Sequence, residues 1–513
     1  MASYIDRLPN NAQMAELIYQ QTKHYMKADE SAFSALELEL AAKFASMKTG
    51  KVFATKEWRF GTNTSSTCEK QLDSVGLACE PSTDTVDNTD DFLQYLPFQW
   101  FRCNYTRDAA DGFARPVAME GTPGYRENGS VDVGTLAPTF FWKCEDHGTY
   151  RMWYMSDMPH PELGLVPWIT AVRADGTVMP YYILSAFPSV TASDGKLRSQ
   201  PGLAPAFNQS YNSMITAYQG KGAGYWGAGG DRNAHGYLFL LIKYATKNSQ
   251  KKFAGCTSFN HQPNIAYAET GAKRVLIATT NTQFYKGACV SVGSGNDRGG
   301  TANNIVNRAR VASIETVTVD STNYLALNLD VETAFDTATT NYVTSMPCFA
   351  GETDAVIGKK DGSYLSNTDS RHTYRIHGVE YNWGQWCVLS DTVIEYLEAD
   401  TRRGLYVAPK GVAHVANAHT NYILVGEFFE TSSDAWIGDA DIDEQTGCLF
   451  GSVKGTGDSV GVGDRLYANA GAVGTLREYL SLGYLGSGSA FGLVACGSGV
   501  GLGDSYWSFG SCD

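Results

Sequence analysis

The sequence predicts an α+β protein of several domains, and three observations lead to this fold class. At 513 residues the chain is too long for one ordinary hydrophobic core. Hydrophobic residues make up 43% of it and aromatic residues 12%, which is ample for buried interiors. With 53 glycines and only 18% charged residues, most of the chain is typical of short strands and turns, and only a few segments show a helical period.

Residues 1–125 are predicted to form a helical and loop-rich attachment region. A first helix is expected to begin near Asn10, because four apolar residues further along share one helical face. A second helix is predicted over Ser31 to Met47, and Gly50 follows it as a stop signal. Such helices either pack on their own domain or dock the chain to a partner, and both interpretations stay open. The apolar residues of the first helix are Met14, Leu17, Ile18 and Tyr25.

Residues 126–256 are predicted to form the first part of the main domain. Aromatic-rich runs at Thr139 to Trp142 and at Tyr150 to Tyr154 are strand candidates. Two helices are predicted after them, over Asn208 to Tyr218 and over Asp231 to about Lys247. The second is apolar almost all round, which is typical of a helix buried on every side. We expect it to be the central helix of the main domain.

Residues 257–371 differ from their neighbours and are predicted to be an inserted all-β module. Short runs rich in Val, Ile, Leu and Thr alternate with turns, and no helical period is present. Asp320 to Asn323 is expected to be a hairpin loop between the last two strands. The main domain is predicted to resume over residues 372–513. The predicted strands of the module are Lys273 to Ala278, Ala288 to Val292, Val311 to Val319 and Tyr324 to Leu329.

Charge and hydropathy argue against several classes of partner. The net charge of −14 and the lack of any Lys/Arg-rich run speak against nucleic acid, which binds through clustered cations. No window approaches the roughly 20 apolar residues of a membrane span, so membrane insertion is not expected. Met1 to Asn10 lacks the basic and apolar regions of a signal peptide, so we expect synthesis and folding in a cytoplasm. The eleven scattered cysteines fit buried free thiols, with a disulfide framework as the alternative.

The last residues, 479–513, are the most informative part of the sequence. They combine many glycines and serines with six aromatic residues, and they contain no Lys, Arg or Pro. Tyr, Ser and Gly are the mixture found in binding loops, where aromatic rings supply contact area and small residues adapt. The same composition also suits a glycine-rich β-meander whose aromatic side chains lie in the core.

Several short motifs in this half of the chain resemble one family. At the C-terminal end they are Arg477-Glu-Tyr-Leu480, Gly483-Tyr-Leu-Gly486, Gly501-Leu-Gly503 and Trp507-Ser-Phe-Gly510. Upstream, the run Gly378-Val-Glu380-Tyr-Asn382-Trp-Gly384-Gln-Trp386, followed by Asp391, is similar to the core motif of the same family. The chain thereby resembles phage variable proteins that are diversified by retroelements, the major tropism determinant-like family.

The resemblance implies a C-type-lectin (formylglycine-generating-enzyme-like) fold over 126–256 and 372–513, interrupted by the β module. It also implies a variable ligand-binding face at 479–513, with Trp507 in the core. Two departures concern this face: Gly483-Tyr-Leu-Gly486 stands where the family has Gly-Gly-x-Trp, and the usual terminal arginine is missing. The residues expected to face the ligand are Tyr484, Ser487, Ala490, Phe491, Ala495, Ser498, Val500, Asp504, Ser505, Tyr506, Ser508 and Phe509.

The function that the resemblance implies is receptor binding or adhesion on a bacteriophage virion, not catalysis. Expected partners are a host-surface or mucosal ligand (protein or glycan), other virion proteins through the N-terminal region, and copies of the chain in a homotrimer. One alternative is a purely structural head-decoration or tail-fibre subunit. The other is an oxidase of the formylglycine-generating type, which uses a close pair of cysteines. Its candidates here are Cys387, Cys448, Cys496 and Cys512.

No catalytic residue, cofactor or metal ligand is predicted. His414 and His419 have a metal-like spacing, but no further ligand motif accompanies them, so structural histidines are favoured. The run from Asp439 to Asp443 has the alternating carboxylates of a calcium loop without its glycine and its final glutamate. A solvated acidic turn is favoured there over bound calcium.

Overall fold

The computed structural model describes residues 34–512, and over this range the protein is mostly β. Strands make up 35% and helices 12%. The described helices are α1 (Ala35–Met47), α2 (Tyr211–Gln219) and α3 (Asp231–Tyr244). The prediction of an α+β, lectin-type fold with a short helical N-terminal region is therefore wrong. Sequence that looks irregular, above all residues 52–138, forms strands, because tertiary contacts bury side chains that show no clear period of their own.

Two antiparallel sheets arise from the first part of the described chain. One has the strand order β2-β1-β7-β6-β8 and the other β4-β3-β5-β9, and β10-β11 is a separate ribbon. The boundary predicted between residues 125 and 126 crosses both sheets, because β1 pairs with β7 and β3 pairs with β5. These strands are β1 (Val52–Trp58), β2 (Glu69–Leu72), β3 (Phe101–Arg107), β4 (Ala114–Met119), β5 (Asp132–Pro138), β6 (Phe141–Asp146), β7 (Tyr150–Ser156), β8 (Val166–Pro167), β9 (Tyr181–Ser185), β10 (Ser189–Thr191) and β11 (Leu197–Ser199).

The segment predicted as an inserted module forms a sheet of its own, with the antiparallel order β12-β15-β14-β13-β16. The predicted strands and the hairpin are confirmed. The chain enters and leaves the segment at one point, because Thr257 and Ser258 both donate backbone hydrogen bonds to the Ser370 carbonyl, at 3.1 and 2.9 Å. The strands are β12 (Arg274–Ala278), β13 (Cys289–Gly293), β14 (Val306–Val319), β15 (Thr322–Asp330) and β16 (Tyr342–Ser345).

The largest sheet has nine strands and nearly closes into a barrel. Its path is β22-β21-β20-β26-β27-β25-β23-β24, and β28 adds to β20 in parallel. A small sheet, β17-β18-β19, precedes it. The strands are β17 (Gly362–Ser363), β18 (Tyr374–Ile376), β19 (Val379–Tyr381), β20 (Trp386–Glu398), β21 (Arg402–Val407), β22 (Ile423–Glu427), β23 (Ala435–Ile442), β24 (Leu449–Lys454), β25 (Arg465–Tyr467), β26 (Leu476–Leu482), β27 (Cys496–Gly497) and β28 (Phe509–Gly510).

Each described helix matches a helix predicted from the sequence. α1 begins after Ser34, whose hydroxyl accepts a hydrogen bond from the backbone N–H of Glu37 in a capping box. α2 begins slightly later than predicted, because Ser210 caps it. The predicted helix near Asn10 lies outside the described residues.

α3 occupies the centre of the fold, as predicted. All of its residues from Asp231 to Tyr244 are buried. Its apolar residues belong to one large hydrophobic cluster that also takes in Val290 and Leu327 from the inserted sheet. The inserted segment therefore shares its core with the rest of the chain, although its five-stranded sheet contains no strand from outside the segment.

The charged residues of α3 are buried together with its apolar ones. The Lys243 ammonium donates to Asp90 at 2.8 Å and to Asp361 at 2.5 Å, and the Tyr244 hydroxyl donates to Asp361 at 3.1 Å. The thiol of Cys79 completes a group whose ligand atoms lie within 4.8 Å of one another. The Lys243 ammonium thus lies among atoms that could otherwise bind a metal ion, and it neutralises the two carboxylates.

We expect Lys243→Met to lower the free energy of unfolding by about 3–5 kcal/mol, because it leaves two buried carboxylates without their cation. The matched control is Lys252→Met. Lys252 pairs with Glu80 at 2.7 Å on the surface, where such a pair contributes roughly 0–1 kcal/mol. Urea unfolding of both variants measures the difference. Equal losses in the two variants would show that the buried cation is dispensable.

Candidate ligand-binding face

The end of the chain forms a surface patch that rests on the largest sheet. After β26, two loops at residues 483–490 and 499–508 reach the surface, and β27 and β28 lie beneath them. Tyr506 is the most exposed aromatic side chain of the patch, at 52%. We name this patch the C-terminal face, and its exposed or half-exposed members are Tyr484, Ser487, Ala490, Val500, Asp504, Ser505, Tyr506, Trp507 and Ser508.

Four residues that were predicted to face the ligand are buried instead. Phe491 packs edge-on against the ring of Trp386, with the ring centroids 5.1 Å apart. Ala495 and Ser498 flank β27 inside the large sheet, and Phe509 begins β28. Their exposed fractions are 9% for Phe491, 1% for Ala495, 0% for Ser498 and 4% for Phe509. These four positions form the floor of the C-terminal face, so the prediction that they are exposed is wrong.

The prediction for Trp507 is wrong in the opposite direction, because this residue is more exposed than expected. It was expected in the core, but it is half-buried and belongs to the face. Its ring stands edge-on to Tyr484 at 5.8 Å, and the Arg298 guanidinium lies 4.8 Å from its centroid. Arg298 comes from the inserted segment and lies far from the C-terminal motifs in the sequence, so sequence reasoning did not find it. Clustered aromatic rings beside an arginine are typical of interface anchors.

A short run of the upstream motif holds the C-terminal face in place. The Asn382 side-chain amide donates to the Phe491 carbonyl at 3.1 Å, and the Gln385 amide donates to the Trp507 carbonyl at 3.1 Å. The backbone N–H of Trp386 donates to the Ser508 carbonyl at 2.9 Å. All three contacts end on main-chain oxygens of the C-terminal segment. Of the two stretches of sequence that carry the resemblance, the upstream run therefore supports the C-terminal one, which forms the surface.

A buried carboxylate organises the bend between Phe491 and β27. Asp464 accepts hydrogen bonds from the backbone N–H groups of Gly492 and Val494, both at 2.8 Å, and from the Gln250 amide at 2.7 Å. Burial raises the pKa of Asp464 to about 6, although these hydrogen bonds favour its ionised form. The floor of the face therefore depends on one side chain from a neighbouring loop.

A second feature is a polar cleft of about 100 Å³ beside the N-terminus of α3. Lys410 and Thr170 both donate to Asp231, at 3.0 and 2.8 Å. These contacts hold the pKa of Asp231 below its ordinary value despite its burial. Asp391 lies on the same wall, and burial, together with the nearby Asp231, raises its pKa to about 7. The cleft thus holds one ionised carboxylate and one that is protonated below about pH 7.

The two candidate histidines have separate partners. The Nδ1 atom of His414 lies 2.8 Å from the Trp226 carbonyl oxygen, and the Nε2 atom of His419 lies 3.0 Å from a Glu395 carboxylate oxygen. These contacts join each ring to a different part of the structure. Each ring thus has a hydrogen-bonding partner within the protein.

The carboxylates from Asp439 to Asp443 also have partners within the protein. Asp439 and Asp441 lie on β23, so the predicted acidic turn is wrong for these two residues. Asp439 accepts from Lys247 at 2.6 Å, and Arg151 donates to Asp441. Asp443 accepts from the Thr446 backbone at 2.8 Å. All three carboxylates therefore bind protein donors, and Asp439 and Asp441 also lie near the same Arg59 guanidinium, at 3.7 and 3.9 Å.

All eleven cysteines lie in the described range, and none is in a disulfide bond. Ten are buried, which agrees with the prediction of buried thiols. Of the four considered for an oxidase, the Sγ atoms of Cys387 and Cys512 lie 2.9 Å apart.

Comparison with protein-family models and with curated protein sequences returns no match. Between residues 34 and 512, none of the helices combines the length and the apolar character needed to cross a membrane.

Face and floor residues should respond differently to truncation. We expect Phe509→Ala to lower the free energy of unfolding by about 3–5 kcal/mol, because it opens a cavity under the C-terminal face. Tyr506→Ala should change it by no more than about 0.5 kcal/mol, since half of that side chain is already in solvent. Chemical denaturation of both variants measures this. A large loss for Tyr506→Ala would place its ring in the core.

Asp391→Asn should change how stability depends on pH. The folded protein keeps the Asp391 proton up to about pH 7, whereas the unfolded chain releases it near pH 4. The wild type should therefore lose stability relative to Asp391→Asn as the pH rises from about 4 to about 7, by on the order of 4 kcal/mol. Urea unfolding of both proteins at several pH values measures the difference. A constant difference would mean that Asp391 is ionised throughout.

Proposed function

We propose that the chain is a non-enzymatic binding protein of a bacteriophage virion and that the C-terminal face contacts a host-surface or mucosal ligand. The observation that carries the proposal is that Tyr484, Tyr506 and Trp507 are exposed or half-exposed on loops whose backbone is fixed from below, with the Tyr484 and Trp507 rings in contact. Rigid aromatic side chains among Ser, Gly and Asp supply contact area at a low entropic cost. Arg298 adds a cation beside the Trp507 ring.

The virion part of the proposal is supported by sequence resemblance. Residues 477–510 and the run from Gly378 to Trp386 resemble retroelement-diversified phage proteins, and both sets of residues build this face or its support. Two exposed loops with a buried run, residues 491–498, between them suit such a surface, because exposed positions can change while buried ones keep the fold. The proposal concerns the face and its use and does not include a lectin-type fold.

A structural subunit is the second candidate, and a specific observation favours it. Phe491 and Phe509 are buried, so two of the aromatic residues assigned to the ligand serve packing. In a head-decoration or tail-fibre subunit, all the aromatic residues of this segment would serve packing. Tyr506 separates the two candidates, since its half-exposed ring contributes little to packing.

We also infer that the chain acts as a homotrimer and that its N-terminal region contacts other virion proteins. Small faces of this composition bind weakly one at a time, and linking several raises avidity by roughly 100-fold or more. The mass of the purified full chain in solution, measured by light scattering, tests the oligomeric state. A monomer at micromolar concentration would contradict it.

The binding test uses the labelled full chain against a panel of intact bacterial cells and against immobilised mucin. We expect at least one of these surfaces to retain the wild type. The double variant Tyr484→Ser, Tyr506→Ser should bind at least about 30-fold more weakly, because the loss of even one aromatic anchor costs about 2 kcal/mol. Its melting temperature should stay close to that of the wild type.

Tyr125→Ser is the matched control, because Tyr125 is a half-exposed tyrosine in the loop between β4 and β5. It should bind like the wild type. If the double variant and the control bind equally well, the ligand contacts another surface. If no cell type and no mucin retains the wild type, the structural subunit becomes the better description.

A further inference from the structure

Two buried cysteines meet beneath the C-terminal face. The Sγ atoms of Cys387 and Cys512 lie 2.9 Å apart, and the residues are 1% and 0% exposed. Cys387 lies on β20, and Cys512 follows β28, which pairs in parallel with β20 at this point. Trp386 and Cys387 align with Phe509 and Gly510 in that pairing. The end of the chain therefore brings one thiol directly to the other.

We propose that Cys387 and Cys512 form a disulfide bond when the protein meets an oxidising disulfide such as glutathione disulfide. One cysteine thiolate attacks a glutathione sulfur, which forms a mixed disulfide and releases one glutathione thiolate. The other cysteine thiolate then attacks the cysteine sulfur of the mixed disulfide and releases the second. Two cysteine thiols are oxidised to one S–S bond, one glutathione disulfide is reduced to two thiols, and the two cysteine protons pass to the glutathione thiolates.

The geometry needs little change to reach a bond. An S–S bond is about 2.05 Å long, so the two sulfur atoms have to approach by less than about 1 Å. The Cys348 thiol hydrogen bonds to Cys256 and also contacts the Tyr285 hydroxyl at 3.7 Å and the Arg371 carbonyl at 3.5 Å. For Cys387 and Cys512 the sulfur atoms lie within about 1 Å of bonding distance, so the proposal concerns this pair.

The bond would join the last strand to the middle of the sheet. The two cysteines are 125 residues apart in sequence, so the closed loop is long and its closure removes much freedom from the unfolded chain. β28 has only two residues, and Phe509 within it supports Tyr506, whose ring centroid lies 5.0 Å away. The disulfide would keep this floor in place when the end of the chain would otherwise separate from β20.

Burial also determines how fast the bond forms. It raises the pKa of the Cys387 thiol well above its ordinary value, so little thiolate is present while the sheet is closed. Reaction therefore requires β28 to leave β20 for a short time. We expect slow oxidation of the native protein. Oxidation should be faster at a low concentration of urea, which promotes the separation of β28 from β20.

The experiment compares the reduced full chain with the same protein after incubation with glutathione disulfide at pH 8. Remaining thiols are blocked with N-ethylmaleimide, the protein is digested without reduction, and cross-linked peptides are identified by mass spectrometry. We expect a peptide pair joining Cys387 to Cys512, with the mass of two hydrogens lost. The melting temperature should rise by about 5 °C and return to its starting value after treatment with dithiothreitol.

Cys387→Ser should abolish the cross-link and the rise in melting temperature, whereas Cys103→Ser should keep both. Cys103 is a matched control because it is equally buried but packs in a separate hydrophobic cluster. Peptide mapping of the wild type decides the question even if Cys387→Ser fails to fold. The proposal is overturned if both thiols are alkylated after oxidation in low urea, or if the only cross-link joins other cysteines. None of these measurements involves a ligand, so the result is independent of the proposed binding function.

Discussion

A helix that is buried on every side and still carries charge is the constraint on which the structure depends. α3 cannot leave Arg232 or Lys243 without acceptors, because an unpaired buried cation is strongly unfavourable. The acceptors come from different parts of the chain: Arg232 donates to the Ser185 carbonyl at the end of β9, and Lys243 donates to Asp90 and Asp361. The buried cations of this one helix therefore have acceptors only when several parts of the chain have assembled around it.

The C-terminal face is rigid because it is attached to this assembly. Asn382 and Gln385 stand between the small sheet β17-β18-β19 and the start of β20, and both side chains are buried. Tyr381, one residue earlier, donates through its hydroxyl to the Arg232 carbonyl on α3 at 2.8 Å. The adjacent residues Tyr381 and Asn382 thus connect the central helix to the C-terminal segment through buried hydrogen bonds. Loops supported in this way keep their conformation without needing regular secondary structure of their own.

Local features were predictable from the sequence, and features that depend on distant contacts were not. The apolar run of α3 and the hairpin of β14 and β15 carry their own periodicity. β3 does not: Arg102 is buried there because its guanidinium donates to Thr135 and to the Gly378 carbonyl, contacts that no local pattern shows. In the candidate site, the resemblance placed Asp504 to Tyr506 at the surface, and they are exposed, whereas composition left this open. Ser498 could not be recognised as buried, because β27 has only two residues and its neighbours come from other parts of the chain.

The contacts that support the C-terminal face end on main-chain atoms, and this has a practical consequence. Asn382, Gln385 and Trp386 donate hydrogen bonds to main-chain carbonyl oxygens of the C-terminal segment. The outward side chains of that segment therefore take no part in these hydrogen bonds. A gene library randomised at Tyr484, and at Ser505 and Tyr506, would encode proteins that share one backbone and differ in surface chemistry. The chain is in this respect a natural starting point for selecting affinity reagents, in the way that antibody frameworks are used.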